Sequence, residues 1–145
     1  SLINGNIISN SDPALLNNLF MAYPNVTFDL FHIGYPYQGV TCALAKNFPN
    51  VFIDMCWSHI ISPTAAIDAL GDFLDAVPYN KISGFGGDYC FVDGVYGHLY
   101  IARRNISKAL ALKVQEGVFS LDTAILIARH LLYANPRRIF RLEKT

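Results

Sequence analysis

The 145-residue chain carries eleven basic and eleven acidic side chains, a balance that excludes the electrostatic footprint of a nucleic-acid or anionic-membrane binder. Hydrophobic residues make up 52% and charged ones only 15%, against about 25% charged in an ordinary soluble domain. Such a chain is long enough to bury a core but short of polar groups to cover the outside, so part of its surface is expected to be covered by something else.

Every apolar run is cut by Asp, Asn, Lys, Pro or Gly well before the roughly 18 residues that a membrane-spanning helix needs, and no basic-then-apolar leader opens the chain. Cys42, Cys56 and Cys90 are odd in number and contain no Cys-x-x-Cys, which predicts free thiols in a reducing cytoplasm. Ser1 to Ser11, rich in Asn, Ser and Gly, reads as loop. Asp12-Pro13 is a cap followed by proline in the first helical turn, and Leu15, Leu16, Leu19, Phe20 and Tyr23 recur at helical spacing until Pro24.

Val26 to His32 reads as a strand with Val26, Phe28, Leu30 and His32 on one face and Thr27, Asp29 and Phe31 on the other. The loop Gly34 to Gly39 leads to a short helix, Val40 to Asn47, and a second strand, Val51 to Trp57, whose faces are Val51, Ile53, Met55, Trp57 and Phe52, Asp54, Cys56. Ser62-Pro63 repeats the cap-and-proline signal and opens a helix with Ile67, Leu70, Phe73, Leu74 and Val77 as its apolar stripe. A third strand, Ile82 to Phe85, stops at Gly86-Gly87 and presents Asp88.

A Gly- and aromatic-rich loop to Gly97 then precedes a long helix to Glu116, with Leu99, Ala102, Ile106, Ala109 and Leu110 inward and Gly117 as its stop. Ser120 caps a helix from Leu121 to about Tyr133, and Pro136 to Leu142 adds a last helical turn or two. Strands alternating with helices through short loops call for parallel pairing and right-handed crossovers. Strands beginning near residues 26, 51 and 82, repeats of 25 and 31 residues, suit a (β/α)8 barrel, where about 250 residues carry eight units. Three parallel strands alone would have bare edges and little core, so the expected fold is α/β, the carboxyl-terminal portion of a TIM-type barrel: about three βα units plus a terminal helix, residues 1–145 belonging to one domain. The alternative is a small open α/β module that associates with itself and does no catalysis. For the isolated chain, either reading predicts self-association through strand edges.

The segments "FDLFHIGYP", "NVFIDMCWSHIISP", "KISGFGGDYCF" and "AILIARHLLYANPRRIFRL" resemble the last three strands and final helix of the amidohydrolase superfamily, in its amidohydrolase-2 branch, from about Asp12 to Leu142. Phe-Gly-Gly-Asp-Tyr and Asn-Pro-x-x-Ile-Phe are the specific parts. The resemblance implies a metal-dependent hydrolase acting on a small molecule through a metal-activated water. It implies a divalent metal, zinc in many members, at the carboxyl ends of the strands. Asp88 matches the eighth-strand acid that contacts the metal or its water and moves protons, and His32 the sixth-strand histidine beside that water. Trp57, His59, Tyr35 and Tyr89 would line the same mouth.

The family's His-x-His pair and fifth-strand histidine have no counterpart here: the four histidines are His32, His59, His98 and His130, and no two are two apart. Most ligands would therefore come from a missing amino-terminal part, in a longer chain or another chain, and the 145-residue chain alone is expected to be inactive. Related barrels decarboxylate aromatic acids or isomerise sugar acids, which leaves a lyase or an isomerase as alternative chemistry. Plain structural readings stand beside each residue. A carboxylate after two glycines suits a turn, His59 falls in what reads as a loop, and His98 and His130 read as ordinary helix residues. Gly84-x-Gly86-Gly87 lacks the Gly-Lys-Ser/Thr ending of a phosphate loop.

Overall fold

The computed structural model describes residues 7–142. Of the opening segment read as loop, Ser1 to Asn6 lie outside the described residues, and Ile8–Ser11 form a 3-10 turn. The chain then contributes α1 (Asn17–Ala22), β1 (Phe28–Leu30), α2 (Gln38–Asn47), β2 (Val51–Asp54), α3 (Ser58–Ile61), α4 (Pro63–Ala76), β3 (Ile82–Ser83), α5 (Val92–Gln115), α6 (Leu121–Arg129) and α7 (Asn135–Ile139). The strands are parallel and lie side by side in chain order, with Leu30 beside Ile53 and Ile53 beside Ile82. Parallel strands in that order need a crossover at each step, and right-handed crossovers put the connecting helices on one face. Accordingly α2 packs on α4, and α4 on α5.

Alternation along β2 decides what meets those helices. Val51, Ile53 and Met55 are fully buried and join Ala66, Leu70 and Phe73 of α4 and Ile106 and Leu110 of α5 in one core. Phe52 and Asp54 point the other way, and the register sets Asp29 beside Phe52 and Ser83 beside Asp54. All three expected caps form: Asp12 accepts the Ala14 N–H at 2.9 Å and Ser62 the Ala65 N–H at 3.2 Å. Ser120 caps α6 through the Thr123 N–H at 3.1 Å.

The strands are shorter than the hydrophobic runs. The ladder of β1 ends at Leu30, because Phe31–Gly34 coils into a tight turn with His32 (φ 61°) and Ile33 (φ 53°) in left-handed conformations. Likewise β2 ends at Asp54, and Trp57 (φ 57°) turns the chain into α3, where a loop was expected. β3 stops after Ser83, and the Gly84 N–H bonds the Leu131 carbonyl at 2.8 Å. The long helix starts at Val92, inside the expected loop, and only Leu99 of its five expected inward residues is less than fully buried. In the first helix the apolar stripe does not face the core. Phe20 alone is buried, edge-on to Phe28 and Phe48, while Leu15, Leu19 and Tyr23 face outward, because a three-stranded sheet offers only one flank to cover.

The closing motif has a mechanical reading. Five residues of π-type turn, His130–Ala134, join α6 to α7 and let Pro136 into the first turn of α7. The buried Asn135 then gives its amide to the carbonyls of Tyr79 (2.7 Å) and Ile82 (2.8 Å), fastening the last helix to the start of β3. Replacing Asn135 by Leu strands both carbonyls and is expected to lower stability by about 1–3 kcal/mol in urea unfolding; an unchanged midpoint would refute the tie.

Candidate functional site

Three strand ends converge, and each delivers a left-handed non-glycine residue. His32 follows β1, Trp57 follows β2 and Asp88 (φ 50°) follows β3; with Ile33 they make up all but one of the described positive-φ residues other than glycine, Arg141 in the carboxyl-terminal turn being the fifth. Each such residue costs about 1–2 kcal/mol relative to ordinary backbone, and strain of this kind gathers where geometry serves a site. The carboxyl ends of parallel strands are also where ligands collect, because the loops there open on one crevice. A cleft lined by Lys46, Phe52, Lys81 and Arg138 opens at the opposite, amino-terminal end, away from these groups.

His32 and Asp88 are brought together. The Nε2 of His32 lies 4.0 Å from Oδ2 of Asp88, and both side chains are partly open to solvent, 41% and 55%. The Nδ1–H of His32 donates to the Cys56 carbonyl at 2.9 Å. A carbonyl only accepts, so the neutral ring carries its proton on Nδ1 and keeps a bare lone pair on Nε2. Trp57 stands edge-on to His32, ring centres 6.3 Å apart, and is 39% exposed. Among the described residues, His32, Cys56 and Asp88 form a group whose ligand atoms all lie within 4.8 Å of one another.

Of the expected mouth residues, Tyr35 is exposed after β1, and Tyr89 packs edge-on against Phe91 and His98. His59 is not in the mouth. It is fully buried beneath it, Nε2–H donating to the Gly84 carbonyl at 2.9 Å while the Asn105 amide approaches its Nδ1 at 3.5 Å and its carbonyl at 3.3 Å. Nor is His98 an ordinary helix residue: buried on α5, it donates from Nδ1 to the Gly87 carbonyl at 3.3 Å. Burial holds both imidazoles below the usual histidine range, so both are neutral donors at neutral pH. With the Trp57 N–H on the Gly86 carbonyl at 3.2 Å, three carbonyls of the loop that carries Asp88 are held from below. Among the described residues this tethering was illegible in the sequence, because its donors come from α3 and α5 and its acceptors from backbone.

Gly86 is required by close approach. A Cβ there would stand 2.9 Å from both Cβ and Sγ of Cys56. Gly86→Ala should push the loop off β2 and cost about 1–3 kcal/mol, as overpacking does; a urea midpoint equal to that of the parent chain would refute this.

Acidic groups crowd the same end. Asp54, buried, accepts the Cys56 N–H at 2.6 Å; burial raises its carboxyl, and that hydrogen bond opposes the rise. Burial, with the charges of Asp54, Asp88 and Asp29, pushes the Cys56 thiol up to about 12. Asp29, for which the strand pattern offered no account, faces this interior with both carboxyl oxygens buried and no hydrogen-bond partner among the described residues, and burial, then Asp54, push it up to about 7. The folded chain thus keeps the Asp29 proton to about pH 7, whereas the unfolded chain releases it near 3.8. This contribution to stability is complete below about pH 4, is lost as pH rises toward 7, and is flat above. Asp29→Asn should remove that slope in urea midpoints measured across the window, and parallel curves for variant and parent would overturn the prediction.

The fold and the site define a parallel α/β chain whose strand ends present an imidazole, a thiol and a carboxylate to one another. The amidohydrolase family, in its amidohydrolase-2 form, matches residues 5–142, and the chain belongs to that family. The protein fluG of Emericella nidulans is 28% identical over 135 residues, which are 92% of this chain and 16% of that protein. A crystal structure from Lactobacillus casei, described as a "putative metal-dependent hydrolase", superposes with a TM-score of 0.73 at 22% identity over 90% of this chain and 34% of its own. The chain therefore spans a sixth to a third of the length of these relatives. No described helix is long and apolar enough to cross a membrane.

Proposed function

We propose that residues 1–145 are the carboxyl-terminal portion of a (β/α)8 barrel, and that the complete protein is a metal-dependent hydrolase acting on a small molecule. Several observations support the barrel. The strand order is that of a singly wound sheet, the following helices pack on one another, and the superposition extends over only about a third of the longer chain. A carboxylate at Asp29 with no partner among the described residues, and exposed apolar side chains at Leu15, just before α1, and at Leu19 and Met21 on it, are surfaces that further strands and helices would cover. In this reading the partner is the rest of the barrel, in a longer chain or in a second one.

The observation that carries the chemistry is the meeting of His32 and Asp88 at the strand ends, with the Nε2 lone pair of His32 open. An imidazole nitrogen and a carboxylate oxygen are ligands that zinc accepts, so the donor set fits the divalent metal of the family, with the remaining ligands coming from strands outside this chain. When bound, such a metal supplies electrophilic activation and lowers the pKa of water to about 7. Asp88, half exposed and within reach of the mouth, accepts the proton of the attacking water and returns it to the leaving group. In its neutral form His32 donates from Nδ1 to backbone and offers Nε2 as an acceptor or ligand, which suits orienting water or holding metal. Trp57 and Tyr35 border the opening where a small substrate would lie. The 145-residue chain alone, with this partial ligand set, turns nothing over.

The test is metal analysis of a protein carrying the complete barrel, followed by a panel of small amides, esters and aromatic carboxylates. Bound divalent metal and hydrolysis of an amide or ester support the reading. Release of carbon dioxide from the carboxylates would replace it with a decarboxylase, and isomerisation of sugar acids with an isomerase. A complete protein that binds no divalent metal would overturn it.

A further inference from the structure

We propose that Cys56 is a third metal ligand, so that His32 Nε2, Cys56 Sγ and Asp88 Oδ2 form a partial site which binds a zinc-like divalent cation in this chain without the rest of the barrel. The inference rests on the functional reading above for His32 and Asp88, and adds the thiolate.

The cysteine is held tightly in place by its backbone and by its neighbour Gly86. Cys56 is 4% exposed, two residues beyond the end of β2. Its N–H is held by Asp54 at 2.6 Å, and its carbonyl takes the Ser58 N–H at 2.7 Å and the His32 Nδ1–H at 2.9 Å. Its sulfur lies against the bare Cα of Gly86, where any side chain would collide. One backbone carbonyl thus locates the thiol and sets the tautomer of the imidazole beside it. A histidine whose Nδ1–H is fixed by a carbonyl, leaving Nε2 for the ion, is the arrangement by which proteins orient metal-binding imidazoles.

The spacing agrees. His32 Nε2 and Asp88 Oδ2, 4.0 Å apart, are too far for a hydrogen bond. Three ligand atoms within 4.8 Å need to close by only about 1 Å to reach the roughly 3.3–3.6 Å separating ligands around tetrahedral zinc. The half-exposed Asp88 side chain is free to make that movement. Nitrogen, sulfur and oxygen donors together favour zinc or cobalt over magnesium or calcium. No electron transfer is involved; the thiol gives up one proton to solvent as the metal–sulfur bond forms.

The experiment titrates the 145-residue chain with cobalt(II), then displaces it with zinc. A chain carrying Cys42→Ser and Cys90→Ser, so that Cys56 is its one thiol, should bind one equivalent and show an intense near-ultraviolet thiolate-to-cobalt charge-transfer band. Adding Cys56→Ser should abolish the band and weaken zinc binding by at least the roughly 10–100-fold that losing even an outer-shell partner costs. Because the band in the single-thiol chain assigns the ligand by itself, a Cys56 variant that fails to fold leaves the test decisive. Absence of the band in the single-thiol chain, or its survival after Cys56→Ser, overturns the proposal. If His32→Ala and Asp88→Asn weaken binding while Cys56→Ser does not, the thiolate is wrong and the functional reading stands. Binding that none of the three weakens is adventitious and overturns the proposal, while the functional reading is decided by the metal content of the complete protein.

Discussion

Asp88→Asn in a protein carrying the complete barrel is expected to lower kcat by about 10²–10⁴-fold, the usual contribution of a positioned acid–base group. The substitution isolates chemistry from folding. Asparagine has the same shape as aspartate and, like it, tolerates a left-handed backbone, so φ 50° at this position remains accessible. The side chain is 55% exposed, and exposed substitutions usually change stability by no more than about 0.5 kcal/mol. What is removed is the negative charge and the capacity to take a proton from water. The measurement is kcat on a substrate found in the panel, beside a thermal unfolding curve. Turnover within about threefold of the parent, with an unchanged unfolding curve, would exclude Asp88 as the proton carrier.

Phe73→Ala should have the largest effect on folding, about 3–5 kcal/mol in urea unfolding, as for buried aromatic truncations in other cores. Phe73 is fully buried on α4, in the cluster that joins the β2 residues Val51 and Ile53 to Ile106 and Leu110 of α5. Removing its ring opens a cavity between the helix layer and the central strand. Because whole domains are stable by only about 5–15 kcal/mol, the variant should be substantially unfolded at room temperature if the isolated chain is at the low end. Leu15→Ala is the control: Leu15 is 67% exposed, and its loss should change the midpoint little. Equal effects of the two variants would mean that the core has been wrongly placed.

Much of the fold was legible because it follows from local patterns. Cap and proline pairs at Asp12-Pro13 and Ser62-Pro63 marked helix starts, and period-two alternation in "VFIDM" separated the core face from the face bearing Asp54. The strands were read too long at His32, Trp57 and Phe85, because apolar runs continue past the last ladder bond and nothing in residue type signals a left-handed turn at His, Ile or Trp. The same turns swing His32 toward Asp88. Cys56 was read as a bland thiol, although its place on the Phe52–Asp54 face was visible in the alternation. Asn105 escaped notice and His98 was read as an ordinary helix residue because their partners are backbone carbonyls distant in the chain.

The sequence by itself determined the order of the strands and main helices and the resemblance to the amidohydrolase family, and it singled out His32 and Asp88. Each of these depends on residue type and short-range spacing. Only the tertiary structure decided that Asp88 is held by carbonyls tethered to His59 and His98, that Cys56 closes the triangle with His32 and Asp88, and that Asp29 is buried without a partner. Those features depend on where three strand ends stop and how sharply each chain turns away, a balance of ladder bonds against backbone strain that is settled only when the strands are side by side.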